Sequence, residues 1–152
     1  MKNKRTPAGD AFAGFAITVL QLAGHLTTAG DILAKPAGQT SARWQILAAA
    51  ENRDLSVAQI ARLLGVSRQG VQRIADILEA DGLIRYKRNP AHQRAKLVTL
   101  TTEGLAVLVE IQERQCIWAN KLGAEIEKQD LQQATQVLFR VLEKLKVNSG
   151  QE

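Results

Sequence analysis

The chain has 152 residues, 45% of them hydrophobic and only 4% aromatic, with a formal net charge of +5. This length and apolar content exclude a disordered chain and suffice for one domain with its own core, while scarce aromatics amid many Ala, Leu, Gln and Ile favour helices over a β-sandwich. The single cysteine, Cys116, excludes an internal disulfide framework and points to a cytoplasmic protein.

Residues 1–9 contain Pro7 and Gly9 and read as a flexible N-terminus. The basic opening followed by AFAGFAITVLQLAG (11–24) superficially resembles a signal peptide. Thr18 and Gln21 interrupt the apolar run, however, and it continues amphipathically beyond Gly24. It also reads as too short and too polar to span a bilayer, so no membrane association is expected. A long helix is predicted instead from about Asp10 to Ala34. Phe12, Phe15, Val19, Leu22 and Leu26 step by 3, 4, 3 and 4 along it, with Ile17, Leu20 and Ala23 on other faces. So apolar a helix needs cover on more than one side, and a partner chain could supply it.

Lys35-Pro36-Ala37-Gly38 ends this helix. A short one follows at about Ser41–Glu51, with Trp44, Leu47 and Ala48 facing inward, and then a loop at Asn52–Asp54. Ser56 and Gln59 have the spacing of a capping box, opening a helix that ends near Leu64. Gly65 allows a tight turn, and Ser67 can cap a helix running to about Ala80, with Gly82 just past its end. LIRYKR (83–88) and RAKLVTL (94–100) read as two strands joined through Asn89–Gln93. Thr101 can cap a helix to about Glu127, and Asp130 with Gln133 suggests a second capping box. In the last helix Leu131, Ala134, Leu138, Val141 and Leu145 repeat the 3, 4, 3, 4 step.

Two short helices joined at a glycine suggest a helix-turn-helix. Ala61 is small enough for a close crossing, Gly65 accepts positive φ, and Val71 points back at the first helix. Ile60, Leu64, Val66, Ile74 and Leu78 are expected to complete the core. Arg68, Gln69, Gln72, Arg73 and Asp76 then project outward from the second helix, the half that enters a major groove in such motifs. Arg can pair bidentately with guanine and Gln with adenine, and Gly70 would let the backbone approach DNA. The hairpin that follows holds five Lys or Arg and no acid over residues 85–96. Arg94, near its tip, is the candidate for a minor groove. Arg85, Lys87, Arg88 and Lys96 are the candidates for phosphates. The fold class expected is mainly α (α+β): a winged helix-turn-helix with a β-hairpin wing between long terminal helices.

The stretch from Trp44 to Leu108 resembles the MarR family of bacterial transcription regulators. The resemblance lies in the helix-turn-helix SVAQIARLLGVSRQGVQRI (56–74), the helix end LEADGLI (78–84), the wing NPAHQR (89–94) and the entry LTTEG (100–104) to a long helix. It implies a DNA-binding domain at 40–100, with dimerisation helices at 10–36 and 101–148. It further implies a homodimer that binds double-stranded DNA at palindromic operators, usually as a repressor. Relief by a small aromatic effector or by oxidation is also common in the family. The site residues implied are Ser67, Arg68, Gln69, Gln72, Arg73, Arg85, Lys87, Arg88, Arg94 and Lys96 for DNA, and His25, Trp44 and Trp118 as walls of an effector pocket. This chain departs from the family at the wing, where the usual Asp-x-Arg is His92-Gln93-Arg94 and Asn89 stands where an Asp is common. His92 can donate to phosphate when protonated, but it cannot hold Arg94 by charge.

Cys116, at helical spacing from Leu108, Gln112 and Ala119, is expected to be a buried, inert thiol. His25 and His92 are the only histidines, and no metal site is expected. No phosphate-binding glycine loop, nucleophile elbow or metalloprotease motif occurs, so neither enzymatic activity nor a cofactor is expected. The alternative reading is a winged-helix interaction module whose basic wing binds an acidic protein.

Overall fold

The computed structural model describes residues 4–149. The chain divides into two units between Gln112 and Glu113, within a single long helix.

The first unit opens with α1, Pro7–Ala34. The helix therefore claims Pro7–Gly9 from the segment expected to be loose; residues 1–3 of that segment lie outside the described residues. The reason is local. Thr6 Oγ1 accepts the Gly9 amide at 3.0 Å, and Pro7 occupies the first helical position, where its missing N–H costs nothing. The 28 residues span about 42 Å. By length and composition α1 is long and apolar enough to cross a membrane, which corrects the expectation that this segment is too short and too polar. Phe12, Ile17, Leu20, Leu22, Leu26 and Ile32 are all exposed within the chain.

A 3₁₀ turn at Lys35–Ala37 and Gly38 at φ 72° redirect the chain into α2, Ser41–Ala49. α1 and α2 cross closely at Gly30, where a Cβ would meet Ser41 Oγ at 2.7 Å. Next to it, Asp31 Oδ1 accepts the Ser41 amide at 2.7 Å, placing a carboxylate at the positive end of α2. The inner face of α2 is Ile46 and Leu47, with Ala50 buried at its C-cap. Trp44 is half-buried against the core, while Ala48, expected inside, is exposed.

Leu55–Ser56 form a short strand, β1, that the sequence does not announce; it pairs antiparallel with β3 (Leu97–Leu100), which pairs in turn with β2 (Ile84–Lys87). The sheet order is β1-β3-β2, so the expected two-stranded hairpin supplies the central strand and one edge of a three-stranded sheet. α3 (Val57–Leu64) carries the expected capping box at Ser56 and Gln59, and α4 (Arg68–Ala80) is capped by Ser67. Gly65 and Gly82 adopt φ 67° and 76°. Ile60, Ala61, Val71, Ala75, Leu78, Ile84, Val98 and Leu108 share one core. Val66 does not join it and is exposed, because the left-handed turn at Gly65 swings it outward.

α5 (Thr102–Gly123) starts against the sheet. Thr101 Oγ1 donates to Gly82 O at 2.7 Å and accepts the Gly104 amide at 3.0 Å. A Cβ on Gly104 would collide with the Leu83 carbonyl oxygen, which explains a glycine one turn into the helix.

The second unit holds the rest of α5, a turn at 124–127, and α6 (Lys128–Ser149). α5 thus stops four residues short of the expected Glu127. α6 starts before Asp130, so Asp130 is an acid in the first turn rather than the cap; the Leu131 amide closes that turn on Glu127 O at 3.2 Å. Cys116 is exposed, not buried, since the helical spacing places it on a side of α5 that no described residue of the second unit covers. Leu131, Phe139, Leu142 and Leu145 are exposed as well.

Candidate nucleic-acid interface

The N-terminal half of α4 offers side chains to solvent because its inner face is fully used. Val71, Ala75 and Leu78 are buried, and helical geometry turns Arg68, Gln69, Gln72 and Arg73 away from them; all four are exposed. Ser67 Oγ accepts the Gly70 amide at 3.0 Å, so the acceptor of this expected DNA contact serves the cap. Gly70 has a reason other than close approach of DNA: a Cβ there would press on that Ser67 oxygen at 3.0 Å.

β2 and β3 place the wing beside α4, and strand alternation sorts the basic residues between two faces. Arg85 pairs in register with Thr99, and Lys87 with Leu97. On that face Lys87 Nζ contacts Asp54 Oδ2 at 3.1 Å and Thr99 Oγ1 donates to Asp54 Oδ1 at 2.8 Å. The Asp54 carboxyl is held below its usual range by the Thr99 hydroxyl first and by Lys87 second. Lys87, expected among the phosphate contacts, is therefore already paired with an acid.

The other face turns Tyr86 toward α4. A groove of about 360 Å³ lies between helix and wing, its walls including Arg68, Gln72, Asp76, Tyr86, Arg94 and Lys96. The structure thus brings four of the expected DNA residues, Arg68, Gln72, Arg94 and Lys96, around one concavity. Arg85 and Lys87 lie on the opposite sheet face. Arg88 is exposed where β2 enters the wing tip.

At the tip, Asn89 Oδ1 accepts the Ala91 amide at 3.0 Å, and the His92 amide closes on Asn89 O at 3.2 Å. Pro90 sits at the second position of this turn, where its fixed φ is favourable. Asn89 thus makes the turn-closing bond that a short carboxylate would make. Arg94 is exposed and forms no ion pair among the described residues, consistent with the missing acid at His92.

The groove also holds a side-chain cluster that no local motif announces. Tyr86 Oη donates to Asp76 Oδ1 at 2.6 Å, and Gln72 Nε2 lies 2.8 Å from that oxygen and 2.9 Å from Tyr86 Oη. Burial first, and the Asp76 bond second, push the Tyr86 phenol well above its ordinary range, while the Tyr86 and Gln72 bonds hold the Asp76 carboxyl low. Both keep their charge states at neutral pH, phenol protonated and carboxylate ionised. A tyrosine in a β-strand reads as a β-former; only the strand's placement against α4 reveals its partners.

The three residues expected to wall an effector pocket fall in both units. His25 is exposed on α1, Trp44 is half-buried against the core of the first unit, and Trp118 is half-buried in the second.

Known proteins match this arrangement. The MarR family profile matches residues 37–95, the helix-turn-helix and wing. The uncharacterized protein Rv2011c of Mycobacterium tuberculosis is 40% identical over 137 residues, covering 90% of this chain and 96% of that protein. BldR from Sulfolobus solfataricus superposes with a TM-score of 0.81 at 21% identity, over 92% of this chain and 99% of BldR. The M. tuberculosis regulator MosR, solved in complex with DNA, superposes with a TM-score of 0.69 at 23% identity, over 86% of this chain and 96% of MosR. The MarR profile over the helix-turn-helix and wing places the chain, like its near full-length relative on this fold, in the MarR family of transcription regulators.

Proposed function

We propose that the chain acts in the cytoplasm as a homodimeric, sequence-specific regulator that binds duplex DNA, as a repressor on palindromic operators. The observation that carries this is the groove in which Arg68 and Gln72 of α4 face Arg94 and Lys96 of the wing. An exposed helix face rich in Arg and Gln can read base edges in a major groove while cations beside it meet the backbone. Arg94 is the side chain for the neighbouring minor groove. That MosR was solved with DNA supports the same use of the shared fold.

Apolar surfaces left exposed among the described residues support dimerisation. Phe12, Leu22 and Leu26 on α1 are exposed, as are Ile117, Leu131 and Leu142 in the second unit. Apolar exposure on this scale calls for a partner, and a second copy is the partner that supplies two recognition helices. The reading is tested by fluorescence anisotropy of the full chain against the duplex upstream of its own gene, a random duplex, an RNA hairpin and heparin. Tightest binding to one duplex, falling steeply with salt because about 6–10 phosphates are contacted, supports it. Equal affinity for heparin and all nucleic acids would replace it with a general polyanion surface.

A further inference from the structure

Gln72 has one amide nitrogen and therefore two N–H donors. The Asp76 carboxylate can only accept, so the Gln72 atom 2.8 Å from Asp76 Oδ1 must be the nitrogen. Tyr86 Oη spends its single proton on Asp76 at 2.6 Å, so toward the same Gln72 nitrogen, 2.9 Å away, it can only accept. The orientation of the amide is thereby fixed by the chemistry of its neighbours. The amide nitrogen is turned to Asp76, one turn along α4, and to Tyr86 of the wing, and the oxygen Oε1 is left for whatever lies in front of α4. The low Asp76 carboxyl and high Tyr86 phenol keep this pattern across neutral pH.

We infer that Gln72 reads DNA through its carbonyl oxygen alone, and that Tyr86 and Asp76 are the positioning residues that set this specificity. This rests on the DNA-binding reading above and deepens it. A free glutamine selects adenine by donating to N7 while accepting from N6–H₂. With its nitrogen engaged by Asp76 and Tyr86, Gln72 presents its oxygen to the groove, and the bases that offer a major-groove amine are adenine through N6 and cytosine through N4. Guanine and thymine present acceptors at the corresponding edges and are disfavoured. The side chain therefore distinguishes amine-bearing bases from the others without separating adenine from cytosine. Removing the Tyr86 hydroxyl returns one donor to Gln72 and restores the bidentate adenine contact.

The test selects bound sequences from a pool of duplexes randomised over about 20 base pairs, two helical turns, using the wild type, Tyr86→Phe, Gln72→Ala and the double variant Gln72→Ala/Tyr86→Phe. The base position read by Gln72 is the one at which Gln72→Ala flattens the preference. There the wild type should take adenine and cytosine within about threefold of each other. Tyr86→Phe should shift the ratio toward adenine by roughly fivefold or more, the lower end of what a bidentate pair discriminates. The double variant should match Gln72→Ala, which shows that the tyrosine acts through the glutamine. Tyr86→Phe keeps the ring, and an unchanged circular dichroism melt confirms its fold. A wild type that already prefers adenine over cytosine, or a Tyr86→Phe ratio like the wild type's, overturns the inference while leaving DNA binding intact. Failure of every protein to enrich any duplex overturns the DNA-binding reading itself.

Discussion

Replacing Gly104 by alanine sets a helix-propensity gain against a backbone collision. An added Cβ would overlap the Leu83 carbonyl oxygen and lie 2.9 Å from its carbonyl carbon and 3.3 Å from its Cα. All three are backbone atoms, so no side chain can rotate away. Relief requires α5 and the lead-in to β2 to separate, which stretches the bonds that join them: Thr101 N to Leu83 O at 3.1 Å and Thr101 Oγ1 to Gly82 O at 2.7 Å. Overpacking costs about 1–3 kcal/mol, and each of the two stretched bonds forfeits about 1 kcal/mol. The alanine returns about 1 kcal/mol of helix propensity. The net expectation is a loss of about 2–4 kcal/mol, equivalent to a melting temperature lower by about 5–15 °C for a chain of this size. Thermal melts followed by circular dichroism at matched protomer concentration measure it. A Gly104→Ala protein as stable as the wild type, or more stable, would refute the close approach of helix and strand.

Lys96→Ala, on the groove, should lower the slope of log affinity against log salt by about 1, whereas Lys87→Ala, already paired with Asp54, should leave it unchanged; salt titrations of a bound duplex separate the two. Ser56→Ala removes the capping box of α3 and should cost about 1 kcal/mol, read from urea unfolding. Asp54 is more acidic folded than unfolded, so its contribution is complete above the ordinary carboxylate range and fades as pH falls below about 4. Asp54→Asn should therefore flatten the acid limb of a stability profile, and a profile as steep as the wild type's would show that Asp54 is not held by Thr99 and Lys87.

What could be read from the sequence was what depends on neighbours along the chain. The Ser56–Gln59 capping box, the turns at Gly65 and Gly82, and the outward face at Arg68–Arg73 each follow from residues within one or two turns of each other. Val66 and Ala48 were misplaced because small shifts in helix phase and turn geometry decide which face an apolar residue takes. The strand at Leu55–Ser56 is two residues long, too short for periodicity, and exists only because β3 runs beside it. The Gln72–Asp76–Tyr86 cluster joins side chains up to 14 positions apart across helix and strand. The carboxylate of Asp31 on the start of α2 is likewise a contact across a helix junction. Cys116 was expected inside on spacing alone, but spacing gives a face and not what covers it. The family resemblance supplied the overall order of elements; it did not reveal that the wing's basic residues divide between the groove and the Asp54 face.

The central claim is that two copies present two α4 faces to one side of duplex DNA. Hydroxyl-radical footprinting of the full chain on a selected duplex tests it most directly. Two symmetric protected patches centred about 10 base pairs apart, one helical turn, both weakened by Arg68→Ala and Arg94→Ala, are the predicted result. A single patch per bound protein, or protection unaffected by either substitution, would contradict it.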